Sequence, residues 1–193
     1  MNDKFKIGIF GSAEGNTNEI LEKARELGKA LGRIPNIIIL TGAANGLPYA
    51  VAEEAFTEGA GKVEIWEYSP NLDEQSLIED TPDADISIYK QIIYIPKAYE
   101  FAKDRKISRK YRNITTTANC DAGIIISGRW GTLNEVTNLY DFGKIIGVLT
   151  GTGGIADELE QLSKKIHKLS TAKFIFNSNP EKLVNEVLKK LGN

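Results

Sequence analysis

Short apolar runs alternate with longer stretches of helical periodicity along almost the whole chain. Runs rich in β-branched residues predict buried strands, and apolar residues spaced three and four apart predict amphipathic helices. The predicted strands cover residues 6–10, 37–40, 63–68, 92–95, 122–126, 145–149 and 174–176. The predicted helices cover 17–31, 48–58, 98–118, 133–142 and 155–169, followed by a last helix that Asn179 caps. This alternation predicts an α/β fold with three αβα layers, a mainly parallel sheet and a single domain over 1–193.

The segment 69–90 interrupts the alternation. It contains six acidic residues, two prolines and a single basic residue. Runs of charge are usually solvated. We therefore expect a surface excursion of the same domain, without an element of its own.

The rarest residues exclude several kinds of chemistry. The 193 residues include one Cys, Cys120, and one His, His167. A disulfide framework within the chain and a tetrahedral zinc site built of Cys and His are therefore excluded. We expect no metal and no cofactor, with Cys120 as a small core residue and His167 on a solvated helix face.

The charge balance bears on partners and location. The chain carries 24 basic and 26 acidic residues, a net charge of −2, which argues against a surface built for nucleic acid. The N-terminus lacks the apolar segment of a signal peptide, and no apolar run approaches the roughly 18–20 residues that span a bilayer. We expect a cytoplasmic protein with no membrane partner.

Glycines gather where the predicted strands end. They follow the first strand at Gly11, the second at Gly42 and Gly46, the fifth at Gly128 and Gly131, and the sixth at 151, 153 and 154. In a parallel sheet these turns lie on the carboxyl edge, where open α/β sheets bind ligands and helix N-termini attract anions. One glycine turn can be merely a turn. Four together predict a ligand that carries phosphate.

Two common phosphate-binding motifs are missing from these turns. None is followed by the Gly-Lys-Ser/Thr of a Walker A loop. The first turn, which continues into Ser12, lacks the Gly-x-Gly-x-x-Gly spacing of a dinucleotide fold. A standard dinucleotide site is therefore disfavoured.

The turn after the fifth strand carries candidate chemistry. Thr132 and Glu135 have the spacing of a capping box, in which both side chains only stabilise the start of a helix. Alternatively, the Glu135 carboxylate faces a ligand over the carboxyl edge of the sheet.

One helix earlier, three arginines share a helical face, because Arg105, Arg109 and Arg112 are spaced i, i+4 and i+7. This face could be merely solvated, could clamp a phosphate, or could form a stripe for nucleic acid.

Together these residues resemble the LOG family, once widely labelled lysine-decarboxylase-like, in the SLOG group of nucleotide-binding Rossmann-like proteins. The family motif Pro-Gly-Gly-x-Gly-Thr-x-x-Glu is matched by Ser-Gly-Arg-Trp-Gly-Thr-Leu-Asn-Glu at 127–135. The family arginine falls at Arg112, followed by Asn113. Residues 42–52 and Gly11-Ser12 also fit family segments, so the resemblance covers most of the chain in the right order.

The resemblance implies a homodimer that hydrolyses the N-glycosidic bond of a nucleoside 5′-monophosphate, such as AMP or a cytokinin riboside monophosphate. It implies that Glu135 and Arg112 are catalytic, the first beside the ribosyl centre and the second orienting the substrate. The phosphate or nucleotide would be bound by Gly11, Ser12, Gly42, Gly46, Ser127, Gly128, Arg129, Gly131 and Thr132, with Arg109, Asn113 and Trp130 as additional candidates. The apolar residues Val136, Leu139 and Phe142 could contribute to the dimer surface.

The sequence also departs from the family motif. Ser127 replaces Pro and Arg129 replaces the second Gly, which places a β-carbon where the backbone could need positive φ. Arg129 could bind the phosphate, or it could block the pocket. These departures resemble a divergent branch that includes molybdenum-cofactor carriers. The alternative function is therefore non-catalytic binding of a nucleotide or a pterin-type cofactor.

Overall fold

The computed structural model describes residues 4–14, 16–42, 45–166 and 168–192. His167 lies outside the described residues. The described strands form one parallel sheet in the order β4-β3-β2-β1-β5-β6-β7. They are β1 (Phe5–Gly11), β2 (Ile37–Thr41), β3 (Glu64–Tyr68), β4 (Gln91–Ile93), β5 (Ala122–Ile126), β6 (Ile145–Leu149) and β7 (Lys173–Asn177).

Helices cover both faces of this sheet, which confirms the predicted α/β fold. The helices are α1 (Asn18–Gly32), α2 (Gly46–Glu58), α3 (Glu74–Asp80), α4 (Arg105–Asn119), α5 (Trp130–Asp141), α6 (Gly154–Lys165) and α7 (Pro180–Leu191). One core layer lies between the sheet and α1, α2 and α7, and the other lies between the sheet and α4, α5 and α6. The central strands β2 and β5 are fully buried, as a sheet covered on both sides requires. Cys120 is buried in the second layer, as expected.

Three predicted boundaries change for local reasons. Helix α4 begins at Arg105, seven residues later than predicted, because the Asp104 side chain caps it by accepting from the Lys106 and Ile107 amides. Helix α6 ends at Lys165, so the predicted apolar stripe does not continue to Leu169, which is fully exposed. Helix α5 begins at Trp130, earlier than predicted.

The expectation for the acidic segment 69–90 is wrong. The segment contains α3 and a short 3-10 helix at Ile86–Ile88. An Asp73–Ser76 capping box starts α3, and Leu77 packs inside the protein with 2% of its surface exposed. The acidic residues are solvated, as their composition indicated, but the apolar residues between them anchor the segment to the sheet.

In the part of the chain that the structure describes, no helix is both long enough and apolar enough to cross a membrane.

Candidate functional site

A cleft of about 610 Å³ opens at the carboxyl edge of the sheet, above β1, β2, β3 and β5. The order of the strands reverses at β1. The chain adds β2, β3 and β4 on one side of β1, and then places β5, β6 and β7 on its other side. Open α/β sheets bind ligands at such a switch point. The strand order thus places the cleft where a ligand is expected.

One wall of the cleft is formed by the β1–α1 and β5–α5 turns. It contains Gly11, Ser12, Arg129, Gly131 and Thr132. Helix α5 begins here, and its N-cap residue, Arg129, supplies no side-chain hydrogen bond to the first amides. A helix start without a side-chain cap points free N–H groups and a positive dipole end at the cleft, which suits an anion.

The backbone of the β5–α5 turn accommodates Arg129 without strain, whereas Ser127 lies in the left-handed region. Arg129 has an extended backbone (φ −125°), so its β-carbon causes no strain. The positive φ angles lie instead at Ser127 (52°) and Gly128 (101°). A β-carbon at Gly128 would lie 2.6 Å from the Thr132 side chain. The glycine that this turn requires is therefore retained.

The Arg129 side chain leaves the cleft open. It is 64% exposed, and its Nη2 atom lies 3.7 Å from the Glu14 carboxylate across the opening. Because both side chains are largely in solvent, this pair contributes little stability, and Arg129 is free to turn toward an anion.

The capping-box interpretation of Thr132 and Glu135 is wrong. Helix α5 starts at Trp130, so Thr132 is its third residue and Glu135 lies in the second turn. Neither side chain is placed to cap the first amides. Glu135 is instead buried, with 7% of its surface exposed, and lines the floor of the cleft.

Glu135 meets Arg112 on this floor. The Glu135 Oε1 atom lies 3.9 Å from Arg112 Nη2, and the two side chains are only 9% and 17% exposed. Burial raises the pKa of Glu135 to about 7, and the positive charges of Arg112 and Lys110 oppose this rise. The sequence-predicted catalytic pair is thus brought together in a largely dry environment, where the carboxyl group can gain or lose a proton near neutral pH.

Gly42 makes room for Arg112. A β-carbon at residue 42 would lie 2.9 Å from both Cζ and Nη1 of the guanidinium. The missing side chain therefore lets the arginine, rather than a phosphate, approach the end of β2 closely.

Arg112 has few hydrogen bonds for a buried guanidinium. Its Nη2 donates to Asn113 Oδ1 at 3.0 Å, and its Nε has no partner among the described residues. Asn113 also reaches Asn134 and the Gly131 carbonyl, which ties α4 to the start of α5. The unused donors of Arg112 are available to a ligand.

Glu67 is a functional candidate that the sequence prediction missed. It lies on β3 and lines the cleft, yet only 1% of its surface is exposed. Neither carboxyl oxygen has a hydrogen-bond partner in the described part of the chain. Burial raises the pKa of Glu67 to about 8, and Arg112 opposes the rise. One signal in the sequence could have identified it. Glu67 lies two positions after the buried Ile65 in a predicted strand, so it occupies the same face of the strand, where an apolar side chain is expected.

The far wall of the cleft is formed by α3 and α4. Arg105 forms an ion pair with Asp80, which also accepts from the buried Asn71 side chain. Arg109 is exposed and lines the cleft. The three arginines on one face of α4 therefore have different roles: one holds α3, one faces solvent and one is buried beside Glu135.

Four predicted site residues lie outside the cleft wall. Gly46 packs against Ala13, and Ser127 and Gly128 pack against Gly154 of the β6–α6 turn. Trp130 is 84% exposed on the outer surface. The glycine turn after β6 thus supports the β5–α5 turn from behind and adds no wall to the cleft.

Comparison with known proteins places the chain in a family. The model of the SLOG cluster4 family matches residues 4–184, nearly the whole chain. The chain belongs to the SLOG cluster4 family. No curated protein sequence matches it.

Several solved structures share the SLOG fold with this chain. TM1055 superposes with a TM-score of 0.75 at 18% identity, covering 96% of this chain and 99% of that protein. The molybdenum cofactor carrier protein of Chlamydomonas reinhardtii gives 0.70 at 17% identity, covering 98% and 99%. DNA processing protein A of Helicobacter pylori, described with a single-stranded DNA binding mode, gives 0.65 at 19% identity, covering 98% and 82%. At such identities the likeness shows the fold alone.

Proposed function

We propose that the cleft binds a nucleoside 5′-monophosphate and that the chain hydrolyses its N-glycosidic bond, releasing the free base and ribose 5-phosphate. The observation that carries the proposal is the buried Glu135–Arg112 pair beside the uncapped N-terminus of α5. An anion site and an acid–base group that titrates near neutral pH thus share one cleft. The resemblance to the LOG family points to the same reaction.

The proposed roles follow from position. The phosphate lies at the start of α5, where the Gly131 and Thr132 amides and the Arg129 side chain can meet it. The ribose then lies over the floor, with Glu135 near the anomeric carbon. As the bond to the base breaks, the ribosyl group becomes oxocarbenium-like, and the ionised Glu135 stabilises its positive charge or accepts a proton from the attacking water.

The charges of the cleft favour an anionic ligand. Near pH 7 the raised pKa of Glu67, about 8, keeps most of its negative charge neutralised by a proton, whereas Glu135, with a pKa of about 7, is present in both the neutral and the ionised form. Asp80 is engaged by Arg105, and Glu14 lies beside Arg129. The positive charges of Arg109 and Arg112 then remain to attract a phosphate.

The test is the release of free base from AMP and other nucleoside monophosphates by the wild type and by Glu135→Gln. The variant keeps the shape of the side chain but cannot carry the charge, so we expect turnover to fall by about 10²–10³-fold while AMP binding persists. Glu158→Gln, an exposed change on α6 outside the cleft, serves as the matched control and is expected to behave as the wild type. Equal turnover in Glu135→Gln and the control would refute the catalytic role.

A second candidate function is non-catalytic binding or carriage of a phosphorylated small molecule, such as a nucleotide or a pterin-type cofactor. The observation in its favour is Arg129, a flexible cation at the position where the family motif has a glycine. Two of the structural neighbours named above are binding proteins by their descriptions. Binding of AMP without any release of base, in wild type and Glu135→Gln alike, would favour this function.

A nucleic-acid partner is not part of the proposal. Of the three arginines on α4, Arg105 is paired with Asp80 and Arg112 is buried, so they do not form a continuous exposed stripe. Oligonucleotide binding that weakens steeply with salt would contradict this expectation.

A further inference from the structure

Three buried polar groups cluster beneath the β2–β3 side of the cleft without hydrogen-bond partners among the described residues. They are the Glu67 carboxyl group, the Tyr89 hydroxyl and Arg112 Nε. Glu67 and Arg112 line the cleft, and the pKa of Tyr89 is raised by burial and by the neighbouring Glu67. Native proteins rarely leave such groups unsatisfied. Because Tyr89 does not line the cleft, a ligand in the cleft can supply partners to Glu67 and Arg112 only.

This cluster lies at a suitable distance from the proposed phosphate position. The phosphate wall is at β5 and β1, and Glu67 is on β3, so the cleft crosses about three strand spacings of roughly 4.8 Å each. An extended nucleoside monophosphate has a comparable length. Glu135 and Arg112 lie between the two ends. A phosphate held at α5 therefore directs the other end of the molecule, its heterocyclic base, toward Glu67.

We propose that Glu67 recognises the base, pairing through its carboxyl group with a ring nitrogen that accepts and an adjacent exocyclic amine that donates. A neutral carboxyl group offers one O–H donor and one acceptor oxygen side by side. The N1 and N6 edge of adenine presents the complementary pair, much as the amides of Asn and Gln recognise adenine elsewhere. The inference rests on the proposed function and adds to it the residue that recognises the base.

The environment of Glu67 favours the neutral form that this pairing needs. Burial raises its pKa to about 8, and Arg112 is the charged group that opposes the rise. Both oxygens are covered from solvent, so pairing requires a small rotation of the side chain toward the base. The pairing would then remove the cost of leaving a buried carboxyl group unsatisfied.

The test compares the affinities of AMP and ribose 5-phosphate, by calorimetry, for Glu67→Gln, Glu67→Leu and the protein with native Glu67 (wild type at this position), all in a Glu135→Gln background in which AMP is not consumed. Glutamine keeps one donor and one acceptor, and we expect it to hold AMP within about 3-fold of the wild type. Leucine removes both hydrogen bonds, and we expect AMP to bind roughly 10- to 30-fold more weakly.

Ribose 5-phosphate separates this inference from the proposed function and shows that each variant is folded. Its affinity is expected to stay unchanged in both Glu67 variants and in Glu64→Leu, a control at the amino end of the same strand. If AMP and ribose 5-phosphate bind the wild type equally, or if Glu67→Leu binds AMP as tightly as the wild type, the inference about Glu67 is wrong. The proposed phosphate site is not affected by either result. If Glu67→Gln loses as much affinity for AMP as Glu67→Leu does, the proposed pairing through a neutral carboxyl group is wrong. If the wild type binds neither compound, the proposed function itself is wrong.

Discussion

At the scale of single residues, Arg112 is the side chain whose charge acts on both buried acids of the cleft. Its charge opposes the raised pKa of both Glu67 and Glu135, and Lys110 adds to this effect at Glu135. Arg112 contacts neither carboxylate at hydrogen-bond distance. A guanidinium shared in this way is not fixed by either acid. Its position therefore depends on the space that the neighbouring backbone leaves, and Gly42 provides that space.

Substituting Gly42 should therefore act through Arg112. In Gly42→Ala the new β-carbon would lie 2.9 Å from the guanidinium, and we expect nucleotide affinity to fall by about 10-fold as Arg112 is displaced. The measurement is AMP binding by calorimetry in a Glu135→Gln background, in which AMP is not consumed. Gly192→Ala, where the nearest atom to the added carbon is 3.7 Å away, is the control. Unchanged affinity in Gly42→Ala would show that the position of Arg112 does not matter for binding.

The two buried acids also predict how stability depends on pH. Their pKa values rise from 4.5 to about 8 for Glu67 and about 7 for Glu135 on folding, so between these limits the folded state holds protons that the unfolded state has lost. Stability is therefore highest below about pH 4.5 with respect to these groups and falls as pH rises toward 8. We expect the wild-type Tm to drop between pH 5 and pH 8, and Glu67→Gln to show a smaller drop. Parallel Tm profiles for the two proteins would contradict this.

At the scale of elements, helix starts decide which side chains face the cleft. Helix α5 begins three residues before the predicted start, and this shift moves Glu135 from a capping position to the floor of the site. Helix α3 was not predicted, yet its Leu77 lines the cleft. Short helices whose polar residues dominate the composition are difficult to predict, because one buried side chain can anchor them.

The anchoring of α3 can be tested with adjacent residues. Leu77 is 2% exposed, whereas Ile78 is 46% exposed. We expect Leu77→Ala to lower the free energy of unfolding by about 2–5 kcal/mol through the cavity it creates, and Ile78→Ala to change it by less than about 1 kcal/mol. Chemical denaturation gives both values. Similar losses would mean that α3 is not anchored through Leu77.

At the scale of the whole molecule, the expected dimer surface must be revised. Val136 is 3% exposed and Leu139 is fully buried in the core between the sheet and α5, so these two residues cannot face a partner. Phe142, the third predicted residue, is 43% exposed at the end of α5, and α4 and α5 also expose Ile114 (50%) and Trp130 (84%). Asn113 links the two helices through Gly131 and Asn134, so they form one rigid face.

We propose that the homodimer implied by the LOG resemblance uses this α4–α5 face. Ile114→Lys places a charge on this face, and we expect it to convert a dimer to a monomer, because burying an unpaired charge is costly. Light scattering after size-exclusion chromatography measures the mass. Ile78→Lys, a change at an exposed apolar residue of α3, is the control. A wild type that is monomeric at high concentration, or an Ile114→Lys variant that stays dimeric, would refute this interface.

The sequence by itself determined the α/β alternation, the location of glycine turns at strand ends and the pairing of Glu135 with Arg112 as candidates. The first two features depend on local periodicity and composition, which are visible along the chain. Glu135 belongs to the nine-residue motif at 127–135, and Arg112 was chosen through the resemblance to the LOG family. Tertiary structure decided the rest. The strand order brought β3 beside β2 and placed Glu67 under the cleft, 45 residues before Arg112 in sequence. The burial that raises the pKa of the two acids comes from elements packed around them, and no local pattern contains that information.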